Sequence, residues 1–222
     1  IIMHSTLTNL IEIQKEIQLK INNPADTIKL PKIIAVSKTH SMEMILPLIN
    51  CGHIDYGENK VQEANEKWAK VKDQNTNIKL HLIGKLQSNK VKIAVKIFDY
   101  IHSLDNEKLA VKIADEQTKQ NKKIKIFIQI NIGNEERKSG VNKEDIFKFY
   151  EYCKNLKLDV IGTMCIPPKD SNPKNYFLEM NKINEKLNLS DLSMGMSEDY
   201  LEAAHNHSTF IRIGSKIFGQ RN

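Results

Sequence analysis

Cysteine, proline, glycine and arginine are all scarce in this chain of 222 residues. Its three cysteines, Cys51, Cys153 and Cys165, are odd in number and scattered, which excludes a disulfide scaffold and fits a reducing cytoplasm. Nine glycines and six prolines exclude collagen and low-complexity disorder. No apolar run approaches the roughly 18–20 residues that cross a bilayer. The N-terminus lacks a basic segment followed by an apolar one with a small-residue cleavage site, so neither a membrane anchor nor an export signal is expected. The chain opens Ile1-Ile2-Met3, and Met3 reads as the true start. With no linker, charge block or biased tract to divide it, a single domain over residues 3–222 is expected.

What is present is the composition of an ordinary globular protein, 40% hydrophobic and 27% charged, long enough to bury a real core. The formal net charge of +6 raises the possibility of nucleic acid. The lysines, however, are spread along the chain and interleave with Glu and Asp, as between Glu63 and Lys72. A solvated, mixed-charge surface is the better reading.

Short β-rich runs alternate with stretches of helical period. The runs fall at 33–37, 54–57, 80–84, 98–102, 124–131, 160–163, 192–194 and 209–213. Helices are predicted between them, for example over 42–49 after Ser41, 106–120 after Asp105 and 143–156 after Asn142. About eight βα units with near-continuous apolar strands imply an all-parallel sheet. In a chain of this length a closed (β/α)8 barrel of the TIM type accommodates them better than an open doubly wound sheet. An extra N-terminal helix over 7–21 is expected to cover one end of the barrel.

In such barrels chemistry gathers at the C-terminal ends of the strands. Lys38 follows the apolar run Ile33-Ile34-Ala35-Val36-Ser37, which would deliver its side chain to the mouth. A lysine partly desolvated there can attack an aldehyde and form a Schiff base. Most lysines at strand ends of a lysine-rich chain are merely solvated, and position alone favours that bland reading. Gly195 and Ser197 precede a helix predicted to start near Glu198, and Gly214 and Ser215 repeat the arrangement after the eighth strand. Either pair alone reads as an N-cap or a turn glycine. Together, on the loops where this fold commonly holds phosphate, they point to an anion site.

Arg137, Arg212 and Arg221 are the only arginines. Arg212 sits in the apolar context Phe210-Ile211-Arg212-Ile213, where a planar, permanently charged donor suits a fixed ligand contact. A buried ion pair with a barrel carboxylate is the nearly equal alternative. Weaker signals are Glu202, His205 and His207, which lack a further metal ligand, Gly84-Lys85, a fragment of a phosphate loop, and His81, which reads as core or as support for the site.

These residues resemble the pyridoxal 5'-phosphate homeostasis proteins, a single-domain branch of the alanine-racemase-like barrel (fold type III of the pyridoxal-phosphate proteins). The resemblance spans nearly the whole chain. It rests on Ala35-Val36-Ser37-Lys38, Gly57-Glu58-Asn59-Lys60-Val61-Gln62-Glu63, His81-Leu82-Ile83-Gly84-Lys85-Leu86-Gln87-Ser88-Asn89-Lys90, Gln129-Ile130-Asn131, Ser193-Met194-Gly195-Met196-Ser197 and Arg212-Ile213-Gly214-Ser215. It implies that Lys38 carries pyridoxal 5'-phosphate as a Schiff base, that Ser197, Gly214 and Ser215 hold the phosphate, that Arg212 faces the pyridine nitrogen and that Asn59 lies beside the ring. An arginine there would keep the nitrogen unprotonated and limit carbanion chemistry. The pattern departs at Ala204-His205-Asn206-His207-Ser208-Thr209, where a glycine is usual at the position of His207, so the geometry of that loop is a question for the structure.

The resemblance implies a cytoplasmic protein of cofactor homeostasis without an established reaction, with pyridoxal phosphate and possible apo-enzyme recipients as partners. A monomer is expected, with neither nucleic acid nor membrane bound. The alternative is a pyridoxal-phosphate amino-acid racemase of low activity. Racemases of this barrel type add a β-rich domain and a tyrosine base, for which 222 residues leave no room.

Overall fold

A computed structural model describes residues 4–21 and 28–220. Residues 1–3, and with them the expected start at Met3, lie outside it. Eight strands close into a barrel in sequence order, every neighbouring pair parallel. They are β1 (Lys32–Val36), β2 (Asp55–Glu58), β3 (Lys79–Leu82), β4 (Tyr100–Leu104), β5 (Lys125–Gln129), β6 (Asp159–Met164), β7 (Asp191–Ser193) and β8 (Phe210–Ile213). All eight coincide with the β-rich runs within a few residues.

Strand alternation divides the buried residues between two cores. Outward side chains such as Ile33, Ala35, Tyr56, Leu80, Ile126 and Ile211 meet the helices in one large cluster. Inward side chains Ile34, Tyr100, Phe127, Met164 and Phe210 fill the barrel. β1, β4, β5, β6 and β8 are therefore apolar on both faces, which is why they read as near-continuous runs, whereas β2, β3 and β7 turn Asp55, His81 and Ser193 inward.

The outer ring comprises α2 (Met42–Asn50), α3 (Val61–Gln74), α4 (Val91–Ile97), α5 (Glu107–Gln120), α6 (Ile146–Asn155), α7 (Pro173–Leu187) and α8 (Tyr200–His205). The helix after β8, α9 (Ser215–Phe218), is a single turn. The N-terminal α1 (Ser5–Ile21) packs against α2, α8 and α9 and so fills the place in the ring that α9 is too short to occupy. It buries Leu10, Ile13, Ile17 and Ile21 there. This corrects the expectation that it covers a barrel end: its 3.6-period apolar stripe needs a lateral groove, and the short α9 leaves one.

Helix starts are shifted by local chemistry. Asn106, and not Asp105, caps α5, accepting the Leu109 N–H at 2.9 Å. The predicted helix over 143–156 opens as a 3-10 turn, Lys143–Asp145, before α6. Ser41 does occupy the N-cap of α2, although its hydroxyl makes no capping bond.

Candidate functional site

The inward rows of the strands, continued past their C-terminal ends, deliver the site. Ile34, Val36 and Lys38 form one row, Asp55, Gly57 and Asn59 a second, and Phe210, Arg212 and Gly214 a third. Lys38, Ser197, Arg212, Gly214 and Ser215 all line one cavity of about 440 Å³, together with Val36, His40, Ile83, Met196 and Gly219. Asn59 lines an adjoining cavity, and the two share Ile83. Gly84 lets the Asn59 backbone in, since a Cβ there would come within 2.3 Å of the Asn59 carbonyl oxygen.

Lys38 sits half-buried on a tightly fastened turn. Thr39 adopts φ 65°, a conformation unusual for a β-branched residue. The Glu63 Oε1 accepts the Thr39 N–H at 2.6 Å, and the His40 N–H returns to the Ser37 carbonyl at 3.1 Å. Beneath the turn, Lys67 Nζ donates to the Ser37 carbonyl at 2.8 Å, to Glu58 Oε1 at 3.0 Å and to Glu63 Oε1 at 3.2 Å. Glu58 is fully buried, and its Oε1 also accepts from the Ser37 hydroxyl and the Trp68 indole. The motif Gly57-Glu58-Asn59-Lys60-Val61-Gln62-Glu63 thus supplies two of the three acceptors that brace the lysine turn.

On the other side of the cavity the β7 and β8 loops meet. Ser215 Oγ donates to Ser197 Oγ at 3.2 Å. Gly195 takes φ 96°, and a Cβ on it would approach Ala203 Cβ to 2.5 Å, so the glycine lets the loop fold against α8. The helix there starts at Tyr200 with Asp199 at the N-cap, within two residues of the predicted start near Glu198. Ser197 is therefore not a cap, and its hydroxyl is committed to the cavity side by its bond to Ser215. The Met196 N–H goes to Asp199 Oδ1 at 2.7 Å, while burial raises the Asp199 pKa.

Arg212 is 3% exposed and donates through Nη1 to Ser193 Oγ at 2.7 Å and through Nη2 to the Cys165 carbonyl at 2.9 Å. Both acceptors are neutral oxygens, which answers the ion-pair alternative raised from the sequence: a hydroxyl and a carbonyl hold the guanidinium. Cys165 is itself fully buried, and that burial pushes its thiol pKa up to about 12, so it is no nucleophile.

His81 is fully buried inside the barrel, stacked on Tyr100. His102, which sequence reasoning missed, is its neighbour and stacks on Phe127. His40, also missed, lines the cavity and stacks on Phe218 at 4.8 Å; its place two residues after Lys38 was the available signal. His205 and His207 are exposed, and no metal-binding group of His, Cys, Asp or Glu is found among the described residues. His207 takes φ 65°. The loop keeps the left-handed backbone that a glycine provides cheaply, with the Ser208 N–H still reaching the Ala203 carbonyl at 3.0 Å.

An eight-stranded barrel with a lysine after β1 and hydroxyls after β7 and β8 defines a class, and residues 15–222 match the family model of the alanine racemase N-terminal domain. Alanine racemase of Clostridium difficile shares the fold, with a TM-score of 0.72 at 14% identity over 98% of this chain and 57% of that one. A relative from Aquifex aeolicus named pyridoxal phosphate homeostasis protein is 38% identical over 200 residues, 86% of this chain and 87% of its own. One of the same name from Vibrio alginolyticus is 32% identical over 99% of both chains. The chain belongs to the pyridoxal phosphate homeostasis protein family. PipY of Synechococcus elongatus, solved with PLP bound, superposes with a TM-score of 0.83 at 29% identity over 96% of this chain and 100% of that one.

Proposed function

We propose that this protein binds pyridoxal 5'-phosphate in the cavity at the barrel mouth, attached covalently to Lys38, and that it serves intracellular homeostasis of that cofactor. The observation that carries the reading is the convergence of Lys38, Arg212 and the Ser197–Ser215 hydroxyl pair on one cavity. The donor set fits the group: an amine for an aldehyde, hydroxyls with the N-terminal N–H groups of α9 for a phosphate, and a guanidinium for a ring nitrogen. PipY, solved with PLP bound, supports binding of this cofactor.

Bound pyridoxal phosphate supplies an aldehyde that condenses with a lysine amine and a pyridine ring that can withdraw electrons from it. Ser197, Gly214 and Ser215 would hold the phosphate. Arg212, which has only donors, would present an N–H to the ring nitrogen and favour that nitrogen without a proton of its own. Asn59, in the adjoining cavity, would lie beside the ring. The Glu58, Glu63 and Lys67 cluster orients Lys38 by holding its turn. Relatives named for homeostasis, and not for a reaction, support binding over turnover. Three free cysteines, two of them buried, support a reducing cytoplasm.

The protein incubated with excess pyridoxal phosphate is expected to gain visible absorbance, and borohydride is expected to fix the cofactor to the peptide carrying Lys38. Lys38→Ala is expected to lose both. A protein that stays colourless overturns the reading. Interconversion of alanine enantiomers, lost in Lys38→Ala, would instead support the racemase alternative.

A further inference from the structure

A file of buried polar groups crosses the barrel core beneath Arg212. Ser193 Oγ lies 2.7 Å from Arg212 Nη1 and 2.8 Å from His102 Nδ1. His102 Nε2 lies 2.9 Å from His81 Nδ1, and His81 Nε2 lies 2.9 Å from Asp55 Oδ1. Ser193, His81 and His102 are fully buried, and Asp55 is 6% exposed. Asp55 opens β2 and faces a second cavity, lined by Gln14, Lys32 and His53, at the N-terminal end of the barrel. The file thus joins the two ends of the molecule.

Donor and acceptor chemistry permits one proton pattern when both imidazoles are neutral. A carboxylate only accepts, so His81 Nε2 carries its proton and donates it to Asp55. His81 Nδ1 is then bare and takes the His102 Nε2–H. His102 Nδ1, bare in turn, takes the Ser193 O–H, whose oxygen accepts from the guanidinium. Every bond points the same way, with the negative ends of the dipoles toward Arg212 and the positive ends toward Asp55. Bonds aligned in series polarise one another in a medium of low dielectric. Burial lowers the pKa of both imidazoles: for His81, Asp55 opposes that effect, with Asp99 adding to the opposition and Lys32 to the lowering; for His102, His81 and Arg212 add to it. Stacking on Tyr100 and Phe127, with interplanar angles of 12° and 18°, fixes both rings.

We infer that Asp55, His81, His102 and Ser193 form a one-way hydrogen-bond relay that positions and polarises the Arg212 guanidinium from the opposite end of the barrel. These four are positioning residues for the cofactor's ring edge, an assignment that rests on the reading of Arg212 given above. Asp55 is the anchoring charge: it balances the guanidinium through three neutral groups without touching it.

The test has a part independent of the cofactor. In cofactor-free protein labelled with 15N-histidine, two-bond 1H–15N correlations at neutral pH are expected to show His81 and His102 both protonated at Nε2 and bare at Nδ1. An Nδ1–H tautomer or an imidazolium at either ring overturns the relay, whether or not the protein binds pyridoxal phosphate. Asp55→Asn is expected to disturb the His102 signals from across the barrel. Ser193→Ala is expected to weaken pyridoxal-phosphate affinity about tenfold, with Lys38 still trapped by borohydride at saturation. A folded Ser193→Ala protein with unchanged affinity, or unchanged His102 signals in a folded Asp55→Asn protein, also overturns it. Failure of the wild-type protein to bind cofactor instead defeats the functional reading alone.

Discussion

The two polar systems that meet at this site are built on opposite plans. Around Lys38 the groups are charged and crowded: Glu58, Glu63 and Lys67 clamp a turn from outside the strands, where α3 packs on β1 and β2. Beneath Arg212 the groups lie in single file inside the barrel, mostly neutral, each with one partner on either side. The clamp tolerates partial exposure because charge and redundancy hold it; the file survives burial because its inner members need no net charge. On the function proposed above, Lys38 needs its backbone fixed for reaction, whereas Arg212 needs its own plane held to read a ring edge.

Breaking the clamp should have the largest effect on stability. Lys67→Met leaves the fully buried Glu58 carboxylate without its cation and is expected to cost about 3–5 kcal/mol, read as a lowered midpoint in chemical denaturation. An unchanged midpoint would show that Ser37 and Trp68 satisfy Glu58 unaided. The anion site proposed at Ser197 and Ser215 comes next. Ser197→Ala with Ser215→Ala removes two hydroxyls of the kind worth about 1.5–3 kcal/mol each to a charged partner. Pyridoxal-phosphate affinity is expected to fall at least tenfold, with little change in folding stability; equal affinity would remove both serines from the phosphate site.

The buried file should show itself through pH. His81 and His102 take up protons less readily in the folded chain than in the unfolded one. Their contribution to stability is therefore complete above the unfolded value near 6.5 and is lost as pH falls below it, by up to about 1.4 kcal/mol per pH unit for each ring. Denaturation midpoints measured from pH 7 down to pH 5 should decline steadily; a flat profile would show that the rings take up protons alike in the folded and unfolded chains, and a rise would show that they are charged in the folded one. The smallest effect is expected at the loop after α8. His207→Gly should stabilise by about 1 kcal/mol by relieving the φ of 65°, and a loss of stability would mean that the side chain repays its strain.

The division between what could be read and what could not follows the range of the interactions. The β-rich runs marked the strands by a local property: β1, β4, β5, β6 and β8 are apolar on both faces, and β2, β3 and β7 keep outward apolar residues such as Tyr56, Leu80 and Leu192. Lys38, Ser197, Arg212, Gly214 and Ser215 were reachable because they stand at strand ends, and a barrel brings strand ends together. The α8 start falls within two residues of the expected one, with Asp199 and not Ser197 at the N-cap; the Asp199 carboxylate accepts the Met196 N–H. His102 escaped notice because its partners lie 21 and 91 residues away in the chain.

The order of elements, the closure of the sheet and the chemical identity of the groups at its mouth were set by hydrophobic periodicity and by residue types at strand ends, all of which act over a few residues. Which oxygen holds Arg212, which way each imidazole shares its proton, and that α1 stands in the helical ring and not across an end were decided only when the barrel closed. Those outcomes depend on distances between strands remote in sequence and on burial, which no stretch of chain possesses until the others surround it.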